Sequence, residues 1–179
     1  MSERAFLRWI RSRLGRRGGS ILVDSGDDAA VLRTDGNEIL FKTDQVIDGV
    51  HFKDAKPESI GHKAIARPLS DIAAMGCTPT FAVAAMAIPK RTKLPFLKRL
   101  FLGMNRTAAR FGVAIVGGDI SFTPGPLAIT VSLLGETRGL RPVTRGGAVA
   151  GDRVLVTGPL GRSIRGKHLT FVPRVQEGL

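Results

Sequence analysis

The sequence predicts a mixed α+β domain, a largely antiparallel β-sheet with helices packed on one face. Strand and helix patterns are mixed along the chain, and one turn signal is a hairpin. Together these favour an α+β sheet over a doubly wound parallel fold.

Residues 2–17 read as a basic amphipathic helix. Phe6, Leu7, Ile10 and Leu14 recur at helical spacing among Arg4, Arg8, Arg11 and Arg13. Ser2 is a candidate cap, and Gly18-Gly19 ends the pattern. Ile21–Val23, Ala29–Leu32 and Glu38–Lys42 read as short strands. Asp35-Gly36-Asn37 is the hairpin turn between the last two. Residues 57–75 read as a helix with Pro57 near its start and Gly76 at its end; Pro68 inside it predicts a kink or a restart. Phe81–Ile88 is apolar on both faces, which suits a buried strand. Leu94–Phe111 reads as a helix ended by Gly112. Val113–Val116 and Leu127–Leu134 read as core strands, and Arg153–Thr157 as one more. The expected organisation is a basic helix over 1–19, a domain over 20–158 and a connector over 159–179.

The 179 residues suffice for one domain with a real core. The formal net charge of +12 implies an anionic partner: nucleic acid, an anionic membrane or a phosphorylated small molecule. Cys77 is the only cysteine, so no disulfide forms within the chain, and a reducing, cytoplasmic setting is expected. As a small apolar residue, Cys77 reads as core. No apolar run is long enough to span a bilayer.

The acidic residues are few and unevenly placed. Several sit at strand ends beside small residues: Ser25-Gly26-Asp27-Asp28, Thr43-Asp44, Ser70-Asp71 and Gly117-Gly118-Asp119. An aspartate in a Gly-rich turn, taken alone, is turn chemistry. Together these can converge on one rim. Crowded carboxylates repel and need cations, and Mg²⁺, a hard ion that takes carboxylate and phosphate oxygens, suits them. Such an ion bridges nucleotide phosphates. Asp71 lies in an otherwise apolar helical stretch, where a charge needs a partner. Gly161 to His168 nearly matches a phosphate-binding loop. However, His168 stands where a hydroxyl is needed, and Pro173 stops the long helix such a loop requires. No Cys/His spacing suits zinc.

One ordered series is more specific than its parts. It begins with Gly26-Asp27-Asp28-Ala29-Ala30-Val31-Leu32, Thr43-Asp44, Gly49-Val50-His51-Phe52 and Leu69-Ser70-Asp71-Ile72-Ala73-Ala74-Met75-Gly76. It continues with Gly117-Gly118-Asp119, Gly125-Pro126-Leu127, Arg145-Gly146-Gly147-Ala148, Gly151-Asp152 and Val156-Thr157-Gly158-Pro159-Leu160-Gly161. The series resembles the thiamine-monophosphate kinase family across about residues 20–161. The Gly-Val-His-Phe and Ser-Asp-Ile-Ala-Ala-Met-Gly segments set it apart from aminoimidazole ribonucleotide synthetase, selenophosphate synthetase and a hydrogenase-maturation protein.

The resemblance implies the N-terminal domain of the aminoimidazole ribonucleotide synthetase-like fold, two copies of which pair into a shared β-barrel, hence a homodimer. It implies magnesium-dependent transfer of the ATP γ-phosphoryl to thiamine monophosphate. By position it implies Asp28, Thr43, Asp44, Asp71 and Asp119 as magnesium ligands, with Asp27 beside them. It implies Gly118 and Asp119 as ATP contacts, Arg145 as the arginine reaching the phosphates, and His51 as a substrate contact. Four features depart from the family pattern. Lys42 stands where a small hydroxyl helps bind a magnesium, and an ammonium there competes with that ion. Asp24-Ser25 replace Gly-Ile, and Pro68 replaces an asparagine. Family members also carry a second domain of comparable size, so half of a kinase, inactive or weak alone, is expected. The alternatives are a kinase completed by another chain or its dimer partner, and a non-catalytic protein that turns its basic surface to nucleic acid or another anion.

Overall fold

The computed structural model describes residues 7–10, 12–13, 19–24 and 26–179. Within the helix expected over 2–17, residues 7–10 are helical, and most of the remainder lies outside the described residues. So does Ser25 of the first acidic loop.

Among the described residues, six strands form one sheet: β1 Ile21–Val23, β2 Ala30–Thr34, β3 Asn37–Ile47, β4 Thr78–Pro89, β5 Ala114–Thr123 and β6 Ala128–Glu136. Their order is β1-β2-β3-β6-β4-β5. Among the described strands, only β4 and β5 pair in parallel. The fold is therefore the mixed, largely antiparallel sheet that the pattern predicts. The β2–β3 hairpin turns on Asp35 at φ 48° and Gly36 at φ 83°, with Thr34 opposite Asn37. Positive φ at both central residues marks a two-residue turn whose twist matches the strands.

Two strands run further than their apolar cores suggest. β3 continues through Thr43-Asp44-Gln45, because β6 pairs with it residue by residue from Ile39↔Glu136 to Ile47↔Ala128. β5 continues through Gly117-Gly118 to Thr123 along the edge of β4. The ladder, not side-chain hydropathy, sets these lengths.

Two helices cover one face. α1 (Pro57–Ala74) lies across β3, β6 and β4, while α2 (Leu94–Arg110) packs on α1 and β5. Leu40, Val46, Ala82, Ala84, Ile88, Ile129, Val131 and Leu133 of the sheet meet Ile65, Leu69 and Ile72 of α1 and Leu100 and Met104 of α2 in one core. Alternation in β4 leaves Phe81 and Val83 on the opposite face, so β4 is not buried on both sides as its composition suggests. α1 runs through the buried Pro68 as one helix, without a restart. The helices touch backbone to backbone: a Cβ on Gly61 would lie 2.1 Å from the Leu100 carbonyl oxygen, and one on Gly103 2.3 Å from that of Glu58.

The strand expected at Arg153–Thr157 is absent. Its Val154, Leu155 and Val156 are exposed and join no ladder. No described strand lies beside this segment, and a lone strand cannot satisfy its backbone groups. The chain then returns to α1 through two 3₁₀ turns, Ser163–Arg165 and Lys167–Leu169, and the short helix α3, Val175–Gly178. Val175 is buried there, and His62 Nε2 lies 2.8 Å from the Phe171 carbonyl oxygen. The near-match to a phosphate loop at 161–168 is these 3₁₀ turns, with Lys167 Nζ donating to the Pro159 carbonyl at 2.5 Å. Among the described residues, no helix is long and apolar enough to cross a membrane.

Candidate functional site

Period-two alternation in β3 sends Lys42 and Asp44 to the α1 side and Phe41, Thr43 and Gln45 to the open side. On α1, Lys63, Arg67 and Asp71 are spaced by four and share a stripe. The two stripes meet with opposite charges in register. Lys42 Nζ is 2.5 Å from Asp71 Oδ2, and Arg67 Nη2 is 3.4 Å from Asp44 Oδ1. All four side chains are at least two-thirds shielded from solvent. Burial pushes the Asp71 carboxyl above its ordinary range, against the pull of Lys42; the nearby charges of Asp44 and Asp28 push the same way.

Asp27 and Asp28 enter from the start of β2. The guanidinium of Arg145 forks onto Asp28 through Nε, at 3.1 Å, and through Nη2. The Arg145 backbone N–H donates to both Asp27 carboxylate oxygens, at 3.2 and 3.1 Å. This clamps the 138–152 loop onto the Gly26–Asp28 turn. The pairing with Asp28 pulls the Arg145 pKa up, and Asp27 and Asp71 add to it through space. A cleft of about 1570 Å³ between β1–β3 and this loop has Arg145, Gly146 and Gly147 in its wall.

The structure thus gathers Asp28, Asp44 and Asp71 with Asp27 and Arg145, and sets Thr43 and Asp119 apart. Thr43 sits on the open face, where its hydroxyl lies 2.8 Å from that of Ser132. Asp119 reaches the same face because Ala82↔Ile115 is followed by Val83↔Gly117, leaving Val116 as an unpaired bulge. A bulge re-aims every later side chain in its strand. Gly118 permits the approach: a Cβ there would lie 1.9 Å from the Ala84 carbonyl oxygen.

His51 belongs to the loop after β3. Its Nδ1 accepts the Ile47 N–H at 3.1 Å, and its carbonyl accepts from Lys63 Nζ. Burial first, then the charges of Arg67 and Lys63, lower its pKa. Lys63 is buried and also lies 2.7 Å from His168 Nδ1; desolvation and Arg67 lower its pKa. Beside this loop is a pocket of about 430 Å³ walled by Phe52, Ile60, Phe96 and Leu127, with Asp48, Asp54 and Lys93 also in its lining. Arg67 and Lys63 were not among the residues singled out from sequence. Their signal was the spacing Lys63, Arg67, Asp71 on one helix facing Lys42, Asp44 on one strand.

Aspartates are the right donors for a hard cation. Among the described residues, however, no three His, Cys, Asp or Glu side chains are grouped so as to hold one unaided. Magnesium ordinarily takes one or two carboxylates and fills its shell with phosphate oxygens and water. Asp27, Asp28 and Asp44 fit an ion that arrives with phosphates, since the arginines holding two of them can turn to those phosphates. Asp71 is committed to Lys42.

Residues 26–137 match the family model of the AIR synthase related protein, N-terminal domain. The chain belongs to the AIR synthase related family. Within it, the chain is similar to the thiamine-monophosphate kinase of Rhodopirellula baltica, 40% identical over 97% of this chain and 57% of the relative. The enzyme of that name from Bacillus subtilis is 37% identical over 84% of this chain and 47% of the relative. The solved complex of AaThiL with AMPPCP and TMP superposes at a TM-score of 0.83, with 26% identity, covering 98% of this chain and 61% of the other. This AIR synthase related domain spans about half the length of the curated relatives it matches.

Proposed function

We propose that this chain is the nucleotide-binding half of a thiamine-monophosphate kinase, with ATP as phosphoryl donor. The observation that carries the reading is the convergence of Asp28, Asp44 and Asp71 with Arg145 at one end of the sheet. It occurs in a domain similar to one solved with AMPPCP and TMP.

The residues divide the work by chemistry. Arg145 releases Asp28 and offers its planar fork to the phosphates, as guanidinium geometry suits. Arg67, one helical turn before Asp71, adds positive charge beside Asp44. Magnesium carried with the nucleotide would be held by Asp27, Asp28 and Asp44 and would offset charge on the phosphates. Positioning and electrostatics supply most of the rate in phosphoryl transfer, and these residues supply both. We place the acceptor beside His51, whose ring is fixed by Ile47, with the neighbouring 430 Å³ pocket offering an apolar wall for an organic ring. Thr43 and Asp119 on the open face, with Gly118 next to Asp119 in the strand, complete the site across a second copy. An apolar strip of Phe41, Phe81 and Val83 is exposed on that face and supports pairing of two copies there. The division into a basic helix over 1–19, a nucleotide domain over 20–158 and a connector over 159–179 belongs to the same proposal, as does a cytoplasmic setting.

Calorimetry with ATP and magnesium tests the binding half. Binding by the wild type, weakened about tenfold or more by Asp44→Ala or Arg145→Ala, supports it; no binding by the folded wild type refutes it. A thiamine-monophosphate phosphorylation assay, with Asp44→Ala and Asp71→Ala as controls, tests turnover. Turnover indifferent to both changes refutes the assigned roles.

A second reading has its own observation. Between Pro89 and Gly118 the chain carries Lys90, Arg91, Lys93, Lys98, Arg99, Arg106 and Arg110 and no acidic residue. That basic surface suits a polyanion. Binding to DNA that falls steeply as salt rises, without binding of ATP, would favour it.

A further inference from the structure

We propose that the Lys42 ammonium is a resident cation of the acidic site. It holds Asp71 where a divalent ion would otherwise sit, so the chain binds one metal ion fewer than its carboxylates could support. The inference rests on the phosphate-binding reading above.

The geometry separates Lys42 from the other two cations. Arg145 is 62% exposed, and Arg67 stands 3.4 Å from Asp44. Both guanidinium groups can turn outward to a ligand. Lys42 projects from mid-strand on the face that α1 covers, its side chain 20% exposed and its Nζ 2.5 Å from Asp71 Oδ2. The register of β3 fixes one partner and the helix fixes the other. Lys42 and Asp44 lie two residues apart on the strand; Arg67 and Asp71 lie four apart on the helix. Each cation thus has a carboxylate across from it and a carboxylate beside it. In such a quartet an added divalent ion at Asp71 must displace the ammonium or sit against it. A lysine charge is a compact point charge, so its repulsion is felt at short range and does not spread over a plane. The site is neutralised at Asp71 before any ion arrives, and its carboxylates stay assembled at low magnesium.

The test counts Mn²⁺ ions bound per chain by electron paramagnetic resonance, without nucleotide. It compares wild type, Lys42→Met, Lys42→Arg and the double variant Lys42→Met/Asp71→Asn. Lys42→Met is expected to bind one more ion per chain than wild type. Alternatively it binds the same ion about tenfold more tightly, as removing a unit charge close to a divalent ion predicts at near-water screening. Lys42→Arg keeps the wild-type count, and the double variant returns to it. If Lys42→Met unfolds without metal, recovery of its circular dichroism on adding Mn²⁺ supports the proposal, and no recovery overturns it. A folded Lys42→Met with wild-type count and affinity overturns it. So does an extra ion that survives Asp71→Asn. Failure of the wild type to bind ATP would sink the kinase reading and leave this count unaffected.

Discussion

Gly61→Ala tests how tightly the charged stripe of α1 is held in place. Alanine gains about 1 kcal/mol over glycine in a helix interior, so local propensity alone predicts stabilisation. The structure predicts the reverse. The new Cβ would lie 2.1 Å from the Leu100 carbonyl oxygen and 2.8 Å from the Met104 nitrogen, both backbone atoms that no rotamer change can move. Ordinary contact begins at 3.4 Å, so α1 and α2 must separate by about 1.3 Å at their crossing. That separation loosens Ile60, Ala64, Leu100 and Met104, all at most 2% exposed. Overpacking costs about 1–3 kcal/mol, and a clash with two backbone atoms belongs in the upper part of that range, about 2–3 kcal/mol, which outweighs the propensity gain. The net loss of about 1–2 kcal/mol lowers the melting midpoint by roughly 2–8 °C in a chain of this size. Gly103→Ala acts from the other side of the same crossing, against the Glu58 carbonyl. Because one separation relieves both clashes, the double variant should lose less than the sum of the two. Urea denaturation with unchanged slope, supported by thermal scans, measures all three. A Gly61→Ala variant as stable as wild type or more so would refute the reasoning, since it would show slack between the helices. Strict additivity would refute the shared crossing.

Other expectations follow from the site. Arg145→Ala removes the side-chain half of the clamp between the 138–152 loop and the Gly26–Asp28 turn and keeps the backbone N–H on Asp27; cleavage there by a dilute protease should speed up, and ATP should restore little protection. His51 has its pKa lowered by burial and by Arg67 and Lys63, so the folded chain favours its neutral form. Its contribution to stability is full above the ordinary value near 6.5 and is lost as pH falls through the folded value. The stability gap between wild type and His51→Gln should therefore narrow from pH 7 to pH 5, and a gap that widens would contradict this. Cys77 is buried and its thiol is pushed up to about 11, so a disulfide reagent at pH 8 should label it only as fast as the core opens. Immediate labelling of the native chain would place Cys77 outside the core.

The fold was legible where local signals and tertiary demands agree. Asp35-Gly36 named its turn outright, and the two long helices, Pro57–Ala74 and Leu94–Arg110, kept their spacing and their stops. What escaped was set by partners distant in sequence. The polar second half of β3 is a strand because β6 lies beside it. The apolar Arg153–Thr157 is not one, because nothing described lies beside it. The site was legible as a set of aspartates, since carboxylates after strands and near glycines stand out. Their cations were harder to see. Arg67 reads as one more surface arginine until α1 is laid across β3, and only then does its spacing from Asp71 match that of Lys42 and Asp44.

The unpaired Val116 divides β5 into two strands with different duties. Side chains in a strand count in twos, and an extra residue changes odd to even. Before the bulge, Ile115 faces inward opposite Ala82; after it, Asp119 stands with Ala85 on the uncovered side. Parity, not residue identity, decides which layer the carboxylate serves. Deleting Val116 would smooth the ladder and leave Asp119 opposite Ala85, whereas keeping Val116 and pairing it with Val83 would turn Asp119 toward the helices. In this edge strand the position of the bulge matters as much as the aspartate that it aims.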